Sequence, residues 1–375
     1  MKIALVSDWY HPRVGGIELH LQDLARRLHD VGHDVHIVTP TEGDSFVDGI
    51  PVHRTAGPRA PKFGFVMTPG AVRSIARVLD HERFDVAHCH VSIVSPAAIG
   101  GAKHAQRLGI PTAVTFHSVI PQTRVLASAL DVAIGASRWP VAYSAVSARV
   151  ARDVQPLAGA RPIRVLPNGI DPSFWRTPVA PSAKNGRFEV VSVMRLNAKK
   201  RPLALINLMR RIVDQLPRDR RARLRIAGDG PLRSRLQQAI ARWHLESDVE
   251  LLGVRSRAEL RDLYAASDVF VLPTVRESFG LAALEARCAG LPVVAMASSG
   301  VSELIEHERE GLLARSDAEL ASHVLTLARD ATLRTTIASH NRASTPRHDW
   351  DTVVRAHIEL YSEAIALRAS RSNRR

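Results

Sequence analysis

Twice along this chain, apolar runs of strand length alternate with segments of helical periodicity. That double alternation restricts the fold more than any other feature. The N-terminus sets the pattern: Lys2–Ser7 is an apolar run, Asp8–Gly16 is a loop, and Ile17, Leu21, Leu24, Ala25, Leu28 and Val31 fall on one helical face. Gly32 ends that helix and Val35–Val38 is the next strand. A strand–helix–strand unit this short implies a parallel sheet. Strands at Val86–Cys89, Thr112–Phe116 and Arg164–Leu166 and helices at Pro96–Leu108 and Ser147–Leu157 continue it. The pattern breaks at Pro167-Asn168-Gly169-Ile170-Asp171-Pro172, and the polar, proline-bearing stretch Thr177–Arg187 reads as a linker.

The alternation then restarts. Strands are predicted at Phe188–Met194, Leu224–Ala227, Val249–Leu252, Val269–Leu272 and Val293–Ala295. Helices are predicted at Pro202–Leu216, Pro231–Trp243, Arg257–Ala266 and Leu281–Ala289, and a last helix at Thr352–Leu367 precedes a basic tail expected to fray. The expectation is an α/β chain of two Rossmann-like domains facing across a cleft, with boundaries at 1–173 and 174–351. Residues 352–375 follow these two domains as a last helix and tail. Ligands of such sheets bind beyond the carboxyl ends of the strands.

At 375 residues, 45% hydrophobic and 23% charged, the composition is that of an ordinary globular protein with room for two cores. No stretch approaches a membrane span, and the N-terminus lacks a signal-like apolar region, so a cytoplasmic location is expected. Cys89 and Cys288 form no metal spacing and read as buried reduced thiols. The net charge of +14 divides as +4 over residues 1–173, +7 over 174–351 and +3 over the remainder. Spread in this way, and without aromatic or zinc-finger nucleic-acid motifs, it argues against nucleic acid. An anionic membrane surface or a phosphate-bearing ligand suits it better.

Three constellations carry chemistry in the second half. Glu277-Ser278-Phe279-Gly280-Leu281-Ala282-Ala283-Leu284-Glu285 follows a strand and opens a helix. Gly280 permits close approach of a ligand where unpaired N–H groups suit phosphate, and the two carboxylates can accept hydrogen bonds from two ends of a polyol. The same spacing also fits an amphipathic helix with two surface glutamates. Arg195-Leu196-Asn197-Ala198-Lys199-Lys200, directly after a strand, can neutralise a diphosphate, or can be a solvated basic loop. Gly228-Asp229-Gly230-Pro231 reads as a turn and not a dinucleotide fingerprint, because position 233 is Arg.

The first half offers Gly15-Gly16 in the first strand-to-helix loop and His117 at a strand end, where a histidine is either structural or a polar group facing a ligand. His88-Cys89-His90 reads as strand packing, because neighbours on a strand point to opposite faces. Asp349-Trp350-Asp351 reads as a cap at a helix start and not as a metal-binding motif.

Together these motifs resemble the family 4 retaining glycosyltransferases of the GT-B fold. The likeness runs through Gly15-Gly16, His117, Pro167-Asn168-Gly169-Ile170-Asp171, Arg195 to Lys200, Gly228-Asp229-Gly230-Pro231, Leu252-Gly253, Glu277 to Glu285 and Ala289-Gly290-Leu291-Pro292-Val293-Val294. The opening Val6-Ser7-Asp8-Trp9-Tyr10-His11-Pro12 with Gly15-Gly16-Ile17-Glu18 resembles the branch that glycosylates phosphatidylinositol lipids.

The resemblance implies that Arg195 and Lys200 bind the diphosphate and Glu277 the sugar hydroxyls. Phe279, Gly280 and Leu281 would line phosphate and sugar, Glu285 would hold the ribose, and Val254 would lie near the base. Gly15 and Gly16 would approach the donor from the other domain, His117 would meet the transferred sugar, and the last helix would cross back to the N-terminal domain. Arg201 departs from the family pattern, which often has glycine there.

The resemblance implies transfer of a hexose with retention and without an essential metal or other cofactor. Mannose from GDP-mannose is favoured over UDP-sugars, and the acceptor would be a lipid-linked molecule or a glycan. No carboxylate nucleophile stands out in the N-terminal half, so a front-face reaction is expected, in which the leaving phosphate helps deprotonate the acceptor. Acceptor contacts are expected from the loops Arg54–Thr68 and Val119–Ser128, whose apolar and basic mixture suits a peripheral position on the inner face of the plasma membrane. The competing readings are a sugar-nucleotide epimerase, a glycogen-type synthase, or a non-catalytic nucleotide-sugar or membrane-surface binding protein.

Overall fold

The structure is a computed structural model that describes all residues except Val14, 56–68, 93–94, 119–127, 129–130, 133, 177–185, 218–220 and 373–375. The chain divides into two compact units, one of Met1–Gly169 with Trp350–Arg375, the other of Ile170–Asp349.

The first unit is built on eight strands: β1 (Lys2–Ser7), β2 (Asp34–Thr39), β3 (Phe46–Val47), β4 (Ile50–Arg54), β5 (Val86–Val91), β6 (Thr112–Phe116), β7 (Ala142–Ala145) and β8 (Ile163–Val165). Their spatial order is β3-β4-β2-β1-β5-β6-β7-β8, and every pairing is parallel except that of β3 with β4. The chain works outwards from β1 in one direction and then returns to β1's other side with β5. That reversal is the topological switch point of a doubly wound sheet. Helices α1 (Gly16–Asp30), α2 (Pro69–Glu82), α3 (Pro96–Leu108) and α4 (Ala148–Ala158) connect the strands. β1 and β5 are buried almost throughout. Strands covered on both faces read as unbroken apolar runs, which is why they are legible in the sequence.

At the switch point, the end of β1 and the start of α3 are joined by one side chain. The Asp8 carboxylate accepts from the backbone N–H of Ala97 at 2.9 Å and of Ala98 at 3.1 Å. Ser95, the residue at the N-cap of α3, makes no cap bond to its own helix, so the cap comes from β1's loop. Burial pushes the Asp8 carboxyl up to about 6 against the opposing pull of these N–H groups.

The second unit holds α5 (Pro172–Trp175) and six parallel strands: β9 (Phe188–Val193), β10 (Ala222–Ala227), β11 (Val249–Gly253), β12 (Val269–Leu272), β13 (Val293–Met296) and β14 (Gly311–Ala314). Their order, β11-β10-β9-β12-β13-β14, is a Rossmann order with its switch point between β9 and β12. The connecting helices are α6 (Pro202–Ile212), α7 (Arg233–Arg242), α8 (Arg257–Ala265), α9 (Leu281–Cys288), α10 (Asp317–Arg329) and α11 (Ala331–Ala343).

The last helix, α12 (Trp350–Ser372), belongs to the first unit. Trp350, Val353, Leu360, Tyr361 and Ala364 are buried in the core that Ile3, Leu5, Leu21, Leu24 and Ile37 form. Each large apolar side chain so buried contributes about 1.5–3 kcal/mol relative to exposure. Trp350 also lies against Gly169, where an added Cβ would meet its ring at 2.4 Å. The predicted end at Leu367 is too early. The helix runs on to Ser372, and Arg368 packs over Gly109, so the basic segment is docked over its first turn instead of fraying. The helix predicted over Pro202–Leu216 stops at Ile212 and tightens into a 3-10 turn at Val213–Gln215.

Asp8→Ala removes the cap of α3 and leaves two buried N–H groups without an acceptor, a loss expected to cost about 2 kcal/mol of stability. Urea unfolding of the variant checks this; a midpoint equal to that of the parent would show that α3 does not need the cap.

Candidate functional site

In the second unit, the residues singled out in the sequence collect at the carboxyl ends of β9 and β12, the two strands that flank the switch point. The loop after β9 carries the cations. Arg195 is exposed at its start. The loop then closes as a single 3-10 turn, Ala198–Lys200, because the Asn197 side chain accepts from the Lys200 backbone N–H at 3.0 Å. The neighbouring Gly228-Asp229-Gly230 turn packs directly on this loop. A Cβ on Gly228 would lie 1.9 Å from the Met194 carbonyl oxygen, and Gly228 has φ +131°. The glycine therefore permits the backbone approach that seats Leu196, whose N–H donates to the Asp229 carbonyl at 2.9 Å. The Lys199 ammonium is held below its usual range, first by burial and then by Lys200 beside it.

Three ties cross from this loop to the loop after β12. The Lys200 ammonium donates to the Glu277 carboxylate at 2.5 Å, and the Thr274 hydroxyl donates to the Lys200 carbonyl at 3.2 Å. The Arg201 guanidinium donates to the Pro273 carbonyl at 2.8 Å and to Asp317 at 2.6 Å. Arg201 has φ +57°, the left-handed conformation that glycine adopts without cost. That explains both the glycine common at this place in the family pattern and what arginine supplies instead: a side chain that pins the loop.

Glu277 and Glu285 are only 9% and 6% exposed, which rules out a plain surface helix. Glu277 also accepts from the Ser278 N–H at 3.2 Å, and the Tyr264 hydroxyl lies 3.5 Å from Glu285. Gly280 stands at the N-cap of α9 with φ +99°, and a Cβ there would meet Val301 at 2.5 Å. The N–H groups of Ala283 and Leu284 both bond back to the Gly280 carbonyl, so α9's intrahelical bonds begin there and the N–H groups of the first turn before them point outwards. Leu281 is partly exposed beside them. Phe279 has its ring buried against His348, so any contact it makes with a ligand comes from its backbone. Val254, just past β11, is 67% exposed.

In the first unit the corresponding ends belong to β1, β5 and β6. Gly15 is the N-cap of α1 in extended conformation. A Cβ on Gly16 would meet nothing within 4 Å among the described residues, so packing does not demand glycine there and the position is open to approach. His117 follows β6, is buried, and its Nε2 lies 2.9 Å from Nδ1 of His90 on β5. His88 bonds Tyr361 of α12 at 3.0 Å and Thr115 at 2.6 Å. His20 stacks on Trp350, with ring centroids 5.5 Å apart, and completes a buried group with His357. Burial pushes His117 down to about 3 and His357 to about 4, and holds His20, His88 and His90 well below the usual range.

Asp8, His90, Asn197, Arg201 and Thr274 were not predicted as site residues. Apart from the Asn197 turn, their contacts join distant segments, up to the 116 residues between Arg201 and Asp317, and no local spacing announces them. Of the predicted acceptor loops, 56–68 and 119–127 lie outside the described residues, as does most of the predicted linker. Among the described residues one group has metal-ligating spacing: His36, His53 and Glu82. It includes no candidate residue, and the Lys2 ammonium already pairs with Glu82 at 2.7 Å.

Arg201→Ala is expected to cost about 1–2 kcal/mol through its lost hydrogen bonds, and Arg201→Gly to recover about 1 kcal/mol of that by relieving φ. Thermal denaturation of both variants tests the order; a glycine variant less stable than the alanine one would contradict it. The buried histidines predict acid sensitivity. Their folded pKa values lie below the unfolded value near 6.5, so the unfolded chain binds more protons once pH drops under 6.5. Stability is therefore full above that pH and is lost progressively as pH falls towards 4 and then 3. Urea midpoints measured between pH 7.5 and 4.5 should fall monotonically; a flat profile would refute the assignment.

Comparison with known proteins agrees with this geometry. Residues 14–174 match the model of Glycosyltransferase Family 4, and residues 174–344 that of Glycosyl transferases group 1. An uncharacterized glycosyltransferase of Methanocaldococcus jannaschii is 27% identical, over 98% of this chain and 99% of its own. The gpi3 subunit of phosphatidylinositol N-acetylglucosaminyltransferase from Schizosaccharomyces pombe is 26% identical, over 80% of this chain and 67% of its own. Among solved structures, Anabaena HepE in complex with UDP superposes with a TM-score of 0.78 at 24% identity, covering 96% of this chain and all of that one (100%). Matched in both units and built from two doubly wound sheets with a last helix that returns to the first, the chain is a glycosyltransferase and belongs to the family 4 glycosyltransferases of the GT-B fold.

Proposed function

We propose that the second unit binds a nucleoside diphosphate sugar through Arg195, Lys200, Glu277, Gly280 and Glu285, and that the chain transfers its hexose, with retention, to a lipid-linked acceptor. The observation that carries this is the pair of buried carboxylates on either side of α9's first turn, with Lys200 on the first of them. Carboxylates accept hydrogen bonds from the hydroxyls of a polyol, while the cations and the outward N–H groups of α9 suit a diphosphate. Arg195 and Lys200 take the diphosphate charge, Glu277 the sugar hydroxyls and Glu285 the ribose. Leu281 and the backbone of Phe279 line phosphate and sugar, and the exposed Val254 meets the base.

The leaving diphosphate is stabilised by fixed positive groups of the chain, and no metal is required in this scheme. Its departing oxygen takes the proton of the acceptor hydroxyl as the new glycosidic bond forms on the same face. In the first unit, Gly16 leaves space at the N-terminus of α1, where Glu18 packs against Gly15, and His117 meets a sugar hydroxyl. UDP-linked donors rank ahead of GDP-mannose in this proposal, because a relative is named for N-acetylglucosamine transfer and a structural neighbour holds UDP. The gpi3 relative's phosphatidylinositol acceptor, together with the net charge of +14, favours an anionic lipid acceptor at a cytoplasmic membrane face.

Thermal denaturation with UDP, GDP, ADP and dTDP is expected to show stabilisation by UDP above the others; the same shift with all four would remove the base preference. Glu277→Gln and Arg195→Ala should each lower transfer from UDP-glucose or UDP-N-acetylglucosamine at least a hundredfold, with unfolding midpoints close to the parent's. Turnover within threefold of the parent in either variant would overturn the assignment of the donor site.

A further inference from the structure

The proton shared by His90 and His117 can be assigned from the groups around it. The two residues stand at the ends of adjacent parallel strands, with His90 level with Thr115 in the β5–β6 register. His90 Nδ1 and His117 Nε2 are 2.9 Å apart. Burial keeps both rings neutral, so one N–H lies between them and one nitrogen of each ring is left over.

If His117 donated from Nε2, His90 would carry its own proton on Nε2. That nitrogen is buried and has no hydrogen-bond partner among the described residues. A buried N–H without an acceptor costs about 1–3 kcal/mol, and orphaned donors are the rarer defect. If His90 donates from Nδ1, its Nε2 is a bare lone pair, the milder defect. The neighbouring His357 shows this arrangement with no ambiguity: its Nδ1 donates to the Val353 carbonyl at 2.8 Å, and its buried Nε2 is left without a partner. His117 Nε2 is then the acceptor, and its proton sits on Nδ1, which bonds no described residue but, unlike His90 Nε2, is not fully buried, so its N–H can reach water or a ligand.

We propose that His90 is a positioning residue that holds His117 in the Nδ1–H tautomer, so that His117 presents a hydrogen-bond donor, and no base, to an oxygen of the sugar. The hydrogen bond to one ring nitrogen sets the proton on the other. His117 thus steadies the oxygen it faces without removing a proton, which leaves deprotonation of the acceptor to the departing phosphate. This rests on the reading above that His117 meets the sugar.

The test combines long-range proton–nitrogen correlation spectra of protein labelled with nitrogen-15 histidine with steady-state turnover of UDP-glucose. Three proteins are compared: the parent, His90→Leu and His90→Asn, the last of which places an amide N–H close to the position of Nδ1. The expected result is Nδ1–H at His117 in the parent and in His90→Asn, and loss of that tautomer in His90→Leu. Turnover number should fall tenfold or more in His90→Leu with KM within threefold, and His90→Asn should keep at least a third of the parental value. Nε2–H at His117 in the parent, or turnover within threefold of the parent in His90→Leu, would overturn the proposal. So would His90→Asn as inactive as His90→Leu while it keeps Nδ1–H, because His90 would then be needed only for packing. Absence of turnover by the parent with UDP-glucose, UDP-N-acetylglucosamine and GDP-mannose would instead remove the functional reading; the spectra of the parent and His90→Asn still decide the tautomer.

Discussion

The reversal of strand order in each sheet is the constraint on which the rest depends. A parallel sheet wound outwards from one strand, then outwards from its other side, sends the connections at the reversal to opposite faces. The carboxyl ends of the two strands there stay uncovered, with loop backbone and helix N-termini exposed. In the second unit those strands are β9 and β12. The gap is spanned by side chains: Thr274 on the Lys200 carbonyl, Arg201 on the Pro273 carbonyl and Lys200 on Glu277. In the first unit the strands are β1 and β5, and Asp8 joins them by capping α3.

These ties explain how a chain with so many cations can bury carboxylates at the carboxyl ends of its strands. An isolated buried carboxylate is costly, and pairing reduces the cost. Glu277 has Lys200 and the Ser278 N–H, and Asp8 has two helix N–H groups. Besides Asp8, the first unit gathers neutral groups at its strand ends. Its histidines are buried deeply enough to stay uncharged, and they bond one another, Tyr361, Thr115 and the Val353 carbonyl.

The last helix shows how far the two sequence periodicities reach. Its helical pattern is legible from Thr352 to Leu367, but the pattern does not say which sheet it covers. The answer lies in Trp350 seated on Gly169 and Tyr361 bonded to His88, contacts between segments far apart in the sequence. Its end at Ser372 was equally out of reach, because apolar spacing stops at Leu367 while Arg368, just beyond it, packs over Gly109.

From the sequence alone came the alternation of strands and helices, the break between two α/β halves, and the candidates for donor binding: Arg195, Lys200, Glu277, Gly280, Glu285 and His117. These are local properties. Burial on both faces makes a strand apolar, a tight approach demands glycine, and charge after a strand stands out against it. Tertiary structure decided whether Glu277 and Glu285 were surface groups or buried ones, what Arg201 does in place of glycine, and that His88 and His90 are links in a buried network instead of plain packing. Those answers depend on which strands lie side by side, and a pairing between distant segments leaves no period in the sequence from which to read it.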